Sequence, residues 1–384
     1  MEYLDYNATT PVDPAVLQEM LPYLSGGIDG GFGNPSSSYG LGHAAHEAVA
    51  TARARVAALL GCAPESIVFT GGGSEADNLA LKGVAERAVG CHVVVSAVEH
   101  PAVLEVCAYL ARRGFRVTVV PVDSTGLVDP DDVARAIEPD TRVVSVMHAN
   151  NEVGTIQPIA EISATAHARG VLVHTDAAQS VGKIRTLIDE LGVDLLSVAG
   201  HKLYAPKGIG CLYVRPGVEL EPLIHGASQE SGRRAGTENV PYIVGLGKAA
   251  EIAGAKLASE EPRLRALRDR LQARLAESAG PLHLNGHPER RLPNTLNVSF
   301  VGLEGRALLD AAAGVSASLG SACHSDRVDP SPVLKAMGVS DAVARGAVRL
   351  SLGRYSTEAG VDRAAEALIR GARTLRGETV EASG

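Results

Sequence analysis

Seven short apolar runs rich in β-branched residues recur between residues 67 and 215, and amphipathic stretches separate them. They are IVF (67–69), VVVSA (93–97), RVTVVPV (116–122), RVVSVMH (142–148), VLVHTDA (171–177), LLSVA (195–199) and GCLYVR (210–215). Helical spacing occupies the intervals at 74–88, 102–113, 130–137 and 159–169. Strands that are apolar along their length are buried on both faces, and strands that alternate with helices pair mostly in parallel. The expected fold class is therefore α/β: a large, mostly parallel, seven-stranded α/β/α domain over residues 15–255. After a helical region at 240–279 the pattern changes to a strand LNVSF (296–300), a helix at 305–313, a Gly/Ser-rich loop at 318–325, a strand AVRLSL (347–352) and a last helix from Thr357. These predict a smaller α+β domain formed by 1–14 and 256–384.

Composition removes several classes of function. A net charge of −8 with no basic stripe argues against a nucleic-acid surface. The arginines of 263–274 interleave with Leu264, Leu267, Leu271 and Leu275, which is the solvated face of an amphipathic helix. No apolar run is long enough to span a bilayer, and MEYLDYNATT lacks the basic start and apolar core of a signal peptide. Five scattered cysteines without a CxxC pair predict neither a disulfide framework nor a zinc site, so no metal is expected and a reducing, cytoplasmic setting is.

The polar residues that punctuate the strands carry the chemistry. In LLSVAGHKLYAPKGIGCLY (195–213), Lys202 closes a buried strand just before a Pro/Gly turn. A desolvated lysine is partly free amine at neutral pH and can form an imine with a carbonyl; the plainer alternative is an exposed turn lysine. In VLVHTDAAQSVG (171–182), Asp176 ends an apolar strand. Its carboxylate needs a cation, such as a protonated pyridine nitrogen, unless it caps the next helix. Gln179 stands three residues on, placed to donate to a phenolic ring oxygen.

TGGGSEADN (70–78) joins a strand to a helix, as a phosphate site would, with Gly73 and Ser74 at the helix start. The same letters fit a dinucleotide fingerprint, or a turn capped by Ser74. His100 follows a strand end, suited to stacking on a flat cofactor and moving protons, or to capping. HANNEVG (148–154) offers Asn151 at another strand end, and QESGRRAGTENVP (229–241) is a long polar loop holding Thr237. SACHS (321–325) puts Cys323 in a Gly/Ser-rich loop, where a thiol suits a nucleophile better than a structural role; the adjacent His324 could lower its pKa, though adjacency in sequence does not prove contact. Arg349 on the strand 347–352 has the forked donors that capture a carboxylate, or is a strand-edge ion pair.

Taken together, FGNPSS (32–37), TGGGSEADN, VEH (98–100), NNEVG (150–154), HTDAAQSVGK (174–183), GHKLYAPKGIG (200–210), AGTEN (235–239), GSACHS (320–325) and VRLSLGR (348–354) resemble the cysteine desulfurases, aminotransferase class V enzymes of PLP fold type I, with selenocysteine lyase a close relative. The resemblance implies a pyridoxal 5'-phosphate (PLP) enzyme that converts L-cysteine to L-alanine and moves the sulfur through a persulfide on Cys323 to an acceptor protein, as in iron–sulfur cluster assembly. It implies that Lys202 carries the cofactor as an imine, Asp176 pairs with the pyridinium, Gln179 meets the phenolic oxygen and His100 stacks on the ring. Gly73, Ser74 and His201 would hold the phosphate, with Thr237 reaching it from the partner subunit of a homodimer. Asn151 and Arg349 would bind the substrate amino acid.

Two departures stand out: Ala199 replaces a serine that many desulfurases place before GHK, and Tyr39 replaces a histidine after GNPSS. With GTENVP, ACHSD and PSPVL (330–334), they look more like selenocysteine lyase than the housekeeping desulfurases; the short spacing from Cys323 to PSPVL suits desulfurases with a longer active loop. Selenocysteine lyase is the alternative within this class. An NAD-dependent dehydrogenase is the alternative outside it, and a silent binding scaffold is a third.

Overall fold

A computed structural model describes residues 1–25, 31–88, 90–319 and 330–378. The central sheet has seven strands in the order Ile67–Thr70, Gly210–Val214, Leu195–Ala199, Leu172–Asp176, Thr141–Ser145, His92–Ser96 and Arg116–Val120. Only Gly210–Val214 runs antiparallel to its neighbours, so the sheet is mostly parallel as expected. The central strands are buried throughout, and the edge strand Arg116–Val120 is largely half-exposed. Apolar clusters cover both faces. One includes Val144, Val173, Leu196 and the helix residues Val56 and Leu246; the other includes Val95, Val143, Leu195 and Leu79.

Strand and helix boundaries are set by local chemistry. The helices Pro101–Arg112 and Pro130–Ala136 begin with proline, whose missing N–H costs nothing there, after a side-chain cap from His100 or Asp129. The runs expected at 142–148 and 116–122 end early, at Ser145 and Val120. Beyond Ser145 the chain keeps single ladder-like bonds, Val146 N–H to His174 O at 3.1 Å and His148 N–H to Asp176 O at 2.9 Å, and leads into the HANNEVG turn.

A second sheet, Leu282–Asn285, Thr295–Phe300 and Ala347–Ser351, is antiparallel and packs on Glu358–Leu375 around Leu296, Phe300, Leu350 and Leu368. The strand Leu282–Asn285 has no counterpart among the sequence expectations, and neither do the helices Pro14–Leu24 and Gly40–Leu60. Val240–Ser278 is one helix of 39 residues, and the expected boundary at 255/256 falls inside it. Its first half packs in the large core through Ile243, Leu246 and Ala250, and its second half in the small core through Leu264, Leu271 and Leu275. The N-terminus enters both parts: Glu2–Tyr3 pairs in parallel with Val315–Ser316, and Thr10 N–H bonds His201 O at 3.0 Å.

Candidate active site

The parallel strands end on one side of the sheet, and the loops that follow them surround a cavity of about 670 Å³. Ligands of open α/β sheets bind at this edge because several strand ends deliver polar side chains there without breaking the ladder. Lys202, His100, Gly73, Ser74, Asp176, Gln179, His201, Asn151 and Arg349 all line it. Thr237 does not: it is exposed on the loop before the long helix. Cys323 and His324 lie outside the described residues.

Lys202 sits on a short 3-10 turn, Gly200–Lys202, directly after its strand. Gly200 has no room for a side chain, since a Cβ there would stand 2.8 Å from Ile209 O. The Lys202 Nζ donates to the carbonyl oxygens of Asn7 and of Ala8, the latter at 2.8 Å, and finds no carboxylate partner at ion-pair distance among the described residues. Burial, then the Arg349 charge, push its pKa down to about 8 against the pull of Asp176 and Asp5.

The floor of the cavity is acidic. Asp176 is buried and takes the Ala178 N–H at 2.9 Å on Oδ1, an Asx-turn bond rather than the cap of a regular helix. Burial raises its pKa, opposed by the Ala178 N–H and by the charges of His100 and Lys202. Asp77 and Glu99 share this floor, each with one buried carboxyl oxygen that has no hydrogen-bond partner among the described residues. The other oxygen of Glu99 accepts from Ser96 Oγ at 2.5 Å and Met147 N–H at 2.7 Å, and burial pushes its pKa up to about 8. Burial first, then the charge of Asp176, raises Asp77 as well. Three buried acids with no charged ion-pair partner among the described residues are costly in such a place, so the floor is built for a positively charged or proton-donating guest.

The walls supply the complementary groups. His100 Nδ1 accepts the Ala102 N–H at 3.1 Å, which leaves the proton of the neutral ring on Nε2, and burial lowers its pKa. Capping and cavity lining are thus properties of one side chain. The helix Gly73–Ala85 opens at the cavity, with Gly72 rather than Ser74 at its cap position. A Cβ on Gly73 would come within 3.1 Å of the Ala199 Cβ, and one on Gly210 within 2.7 Å of the Gly72 carbonyl carbon, so glycines let this turn press against the sheet. His201 Nδ1 pairs with Thr9 Oγ1 at 3.1 Å, and burial pushes its pKa down to about 4. Arg349 is buried and bonds Asp5 at 2.7 Å and Asn151 O at 3.1 Å, while its Nε has no partner among the described residues. That open donor suits an incoming carboxylate.

Sequence reasoning passed over Asn7, Asp77, Glu99 and Lys183 as site residues. Asn7 is the hub: its carbonyl oxygen accepts from Lys202 and from Gln179 at 3.0 Å, and its side chain reaches Asn151 O at 3.2 Å and Thr295 Oγ1 at 2.8 Å. The only available signal was the polar tetrad NATT after an apolar start. Asp77 and Glu99 stood inside quoted motifs, where an acid in an otherwise buried turn is itself a signal.

A mostly parallel sheet whose strand-end loops bring Lys202 and the buried Asp176 into one cavity is the architecture of an α/β enzyme, and the family model for class V aminotransferases matches residues 2–364; the chain belongs to that family. Its curated relatives include the cysteine desulfurase IscS of Methanosarcina thermophila, 48% identical over 378 residues that cover 97% of this chain and 92% of that protein. The cysteine desulfurase of Gluconacetobacter diazotrophicus is 51% identical over 366 residues, covering 94% and 90%. Among solved structures, a NifS-like protein superposes with a TM-score of 0.89 at 40% identity, covering 98% of this chain and all of that one. A structure titled SspA in complex with cysteine gives a TM-score of 0.83 at 39% identity, covering 93% of this chain and 100% of that one. The fold is type I of the PLP enzymes, as expected, and the leaning of Tyr39 and Ala199 toward selenocysteine lyase is not favoured by these relatives.

Proposed function

We propose that this chain is a PLP-dependent cysteine desulfurase, converting L-cysteine to L-alanine and delivering the sulfur from a persulfide on Cys323 to an acceptor protein. The observation that carries the proposal is the convergence of Lys202, its amine pushed down to about 8, with the cation-less Asp176 in one cavity. The donor set fits the cofactor: an amine for its aldehyde, a buried carboxylate for its ring nitrogen, and a glycine-opened helix start for its phosphate. Bound there, PLP supplies an electron sink that makes the substrate's Cα proton acidic and its Cβ–S bond breakable.

In this reading Lys202 holds the cofactor and, once displaced by the substrate amine, moves the Cα proton. Asp176 would be the carboxylate for the ring nitrogen, held ionised by that cation, and Gln179 would donate to the phenolic oxygen. His100 would face the ring and relay protons through Nε2. Gly73, Ser74 and His201 bind the phosphate, and Thr237 reaches it from the second subunit of a homodimer. Ala199 leaves that phosphate one hydroxyl short. Arg349 captures the substrate carboxylate beside Asn151.

The Cys323 thiolate forms a bond to the substrate sulfur while the Cβ–S bond breaks. The electron pair stays with carbon, a proton completes alanine, and the sulfur remains on the enzyme until an acceptor thiolate removes it. Iron–sulfur cluster assembly is the destination we favour, in the cytoplasm. The four described cysteines are unpaired, and no described helix is long and apolar enough to cross a membrane.

Alanine formation from cysteine tests the assignment. The wild type is expected to be yellow and active, and Lys202→Ala to lose both the visible band and at least about a thousandfold of its activity, the scale of a missing covalent catalyst. Equal turnover by the variant would refute the role of Lys202.

A further inference from the structure

Gln179 and Lys183 flank one turn after the strand Leu172–Asp176, four residues apart. The Lys183 Nζ donates to Gln179 Oε1 at 2.7 Å and to Asn7 Oδ1 at 3.2 Å, and these amide oxygens are its hydrogen-bond acceptors among the described residues. No carboxylate lies at ion-pair distance from it among those residues; the charges it feels are those of Lys202 and Arg349. A half-buried lysine kept beside two other cations, with amides as partners, is expensive unless the hydrogen bonds serve a purpose.

On the other side of the same amide, Gln179 Nε2 donates to Asn7 O at 3.0 Å. A lysine amine has hydrogens to give, and a backbone carbonyl only accepts. Turning the Gln179 amide over would therefore set its NH2 against the Lys183 donor and its oxygen against the Asn7 carbonyl. The Asn7 contact would become repulsive, and Lys183 would lose the amide acceptor it now bonds. We infer that Lys183 is a positioning residue that locks Gln179 into the orientation in which it can only donate, so that the phenolic oxygen of the cofactor always meets an N–H and never a carbonyl. The inference rests on the function proposed above.

The cofactor's visible band reports on this lock. A donor on the phenolic oxygen makes that oxygen less basic and loosens the proton it shares with the linking nitrogen, so losing the donor raises the pH midpoint at which the band changes. The test is a double-mutant cycle on the holoenzyme: wild type, Lys183→Met, Gln179→Leu and the pair, each titrated by absorbance. Methionine matches the length of the lysine chain and adds no donor. Each single variant is expected to raise the midpoint by about one pH unit, the scale of one hydrogen bond to a charged oxygen. The double variant is expected to go no further than the larger single shift.

Additive shifts would mean that Lys183 acts by its charge alone and would overturn the inference, as would an unchanged midpoint in Lys183→Met. A wild type with no visible band would instead overturn the proposed function itself. If Lys183→Met does not fold, Lys183→Ala carries the same cycle with the same outcomes.

Discussion

At Lys202 the protein holds a primary amine among carbonyl oxygens, close to a second cation, and its basicity falls to about 8. At pH 7 roughly a tenth of it is then the free amine, against far less than a hundredth for an ordinary lysine. The sign follows from the direction of the shift: the reactive form is scarce below about 8 and complete above it. The rate at which the cofactor-free protein takes up PLP is therefore expected to rise with pH and level off near 8 to 9, followed by stopped-flow absorbance. A rise that continues to about 10.4 would mean an unperturbed lysine.

Ala199 offers a second test at this scale. Its Cβ lies beside Gly73 at the helix start, where a hydroxyl would face the proposed phosphate. Ala199→Ser is expected to tighten PLP about 3- to 10-fold in equilibrium dialysis, the worth of one neutral hydrogen bond. Unchanged or weaker binding would show that the phosphate is already satisfied.

At the scale of an element, the polar loop at 229–239 stands outside the cavity lining but is tied to the glycine-rich turn that belongs to it. Glu230 anchors it with three bonds, to Arg53 at 2.8 and 2.7 Å and to the Phe69 N–H at 2.9 Å, and does so from a left-handed backbone at φ 48°. Arg234 adds a bond to Glu75 at 2.9 Å, and Glu75 in turn accepts the Gly71 N–H at 2.7 Å, so the loop is wired to the glycine-rich turn. Glu230→Ala is expected to cost about 2–4 kcal/mol in urea unfolding, because it strands Arg53 and an N–H of the edge strand. A loss under about 0.5 kcal/mol would show the tether to be ornamental. In sequence this segment read only as a long polar loop with Thr237 in it. Its anchoring depends on a partner 177 residues away, which no local pattern announces.

Strand ends were another matter. Asp176, Lys202 and His100 each stand at or just past the last apolar residue of a run, and period and polarity alone place them at the sheet edge. The run at 142–148 misled by a few residues because the loop beyond it stays apolar and buried, Val146 and Met147 among them, whereas the run at 116–122 stops before Pro121, which has no N–H to give the ladder.

For the whole molecule, two apolar cores share one long helix and one N-terminal strap. The strap brings Asn7 against Lys202, Gln179, Asn151 and Thr295, and Asp5 against Arg349, so groups from both sheets meet in a single cavity. Alternating strands and helices made the large part readable. The strap was not, since its bonds join residues up to 361 apart and its own sequence has no period. Cys323 follows Ser318 by five residues, and Ser318 bridges Arg349 at the cavity wall.

The most direct measurement of the account is peptide mass mapping after one turnover. Wild-type holoenzyme is mixed with an equimolar amount of L-cysteine, without reductant, and the peptide containing Cys323 is weighed. It is expected to gain one sulfur atom in step with alanine release, while Cys323→Ser forms no persulfide and releases no alanine. Alanine released at the wild-type rate by Cys323→Ser, or the extra sulfur found on another cysteine, would contradict the account.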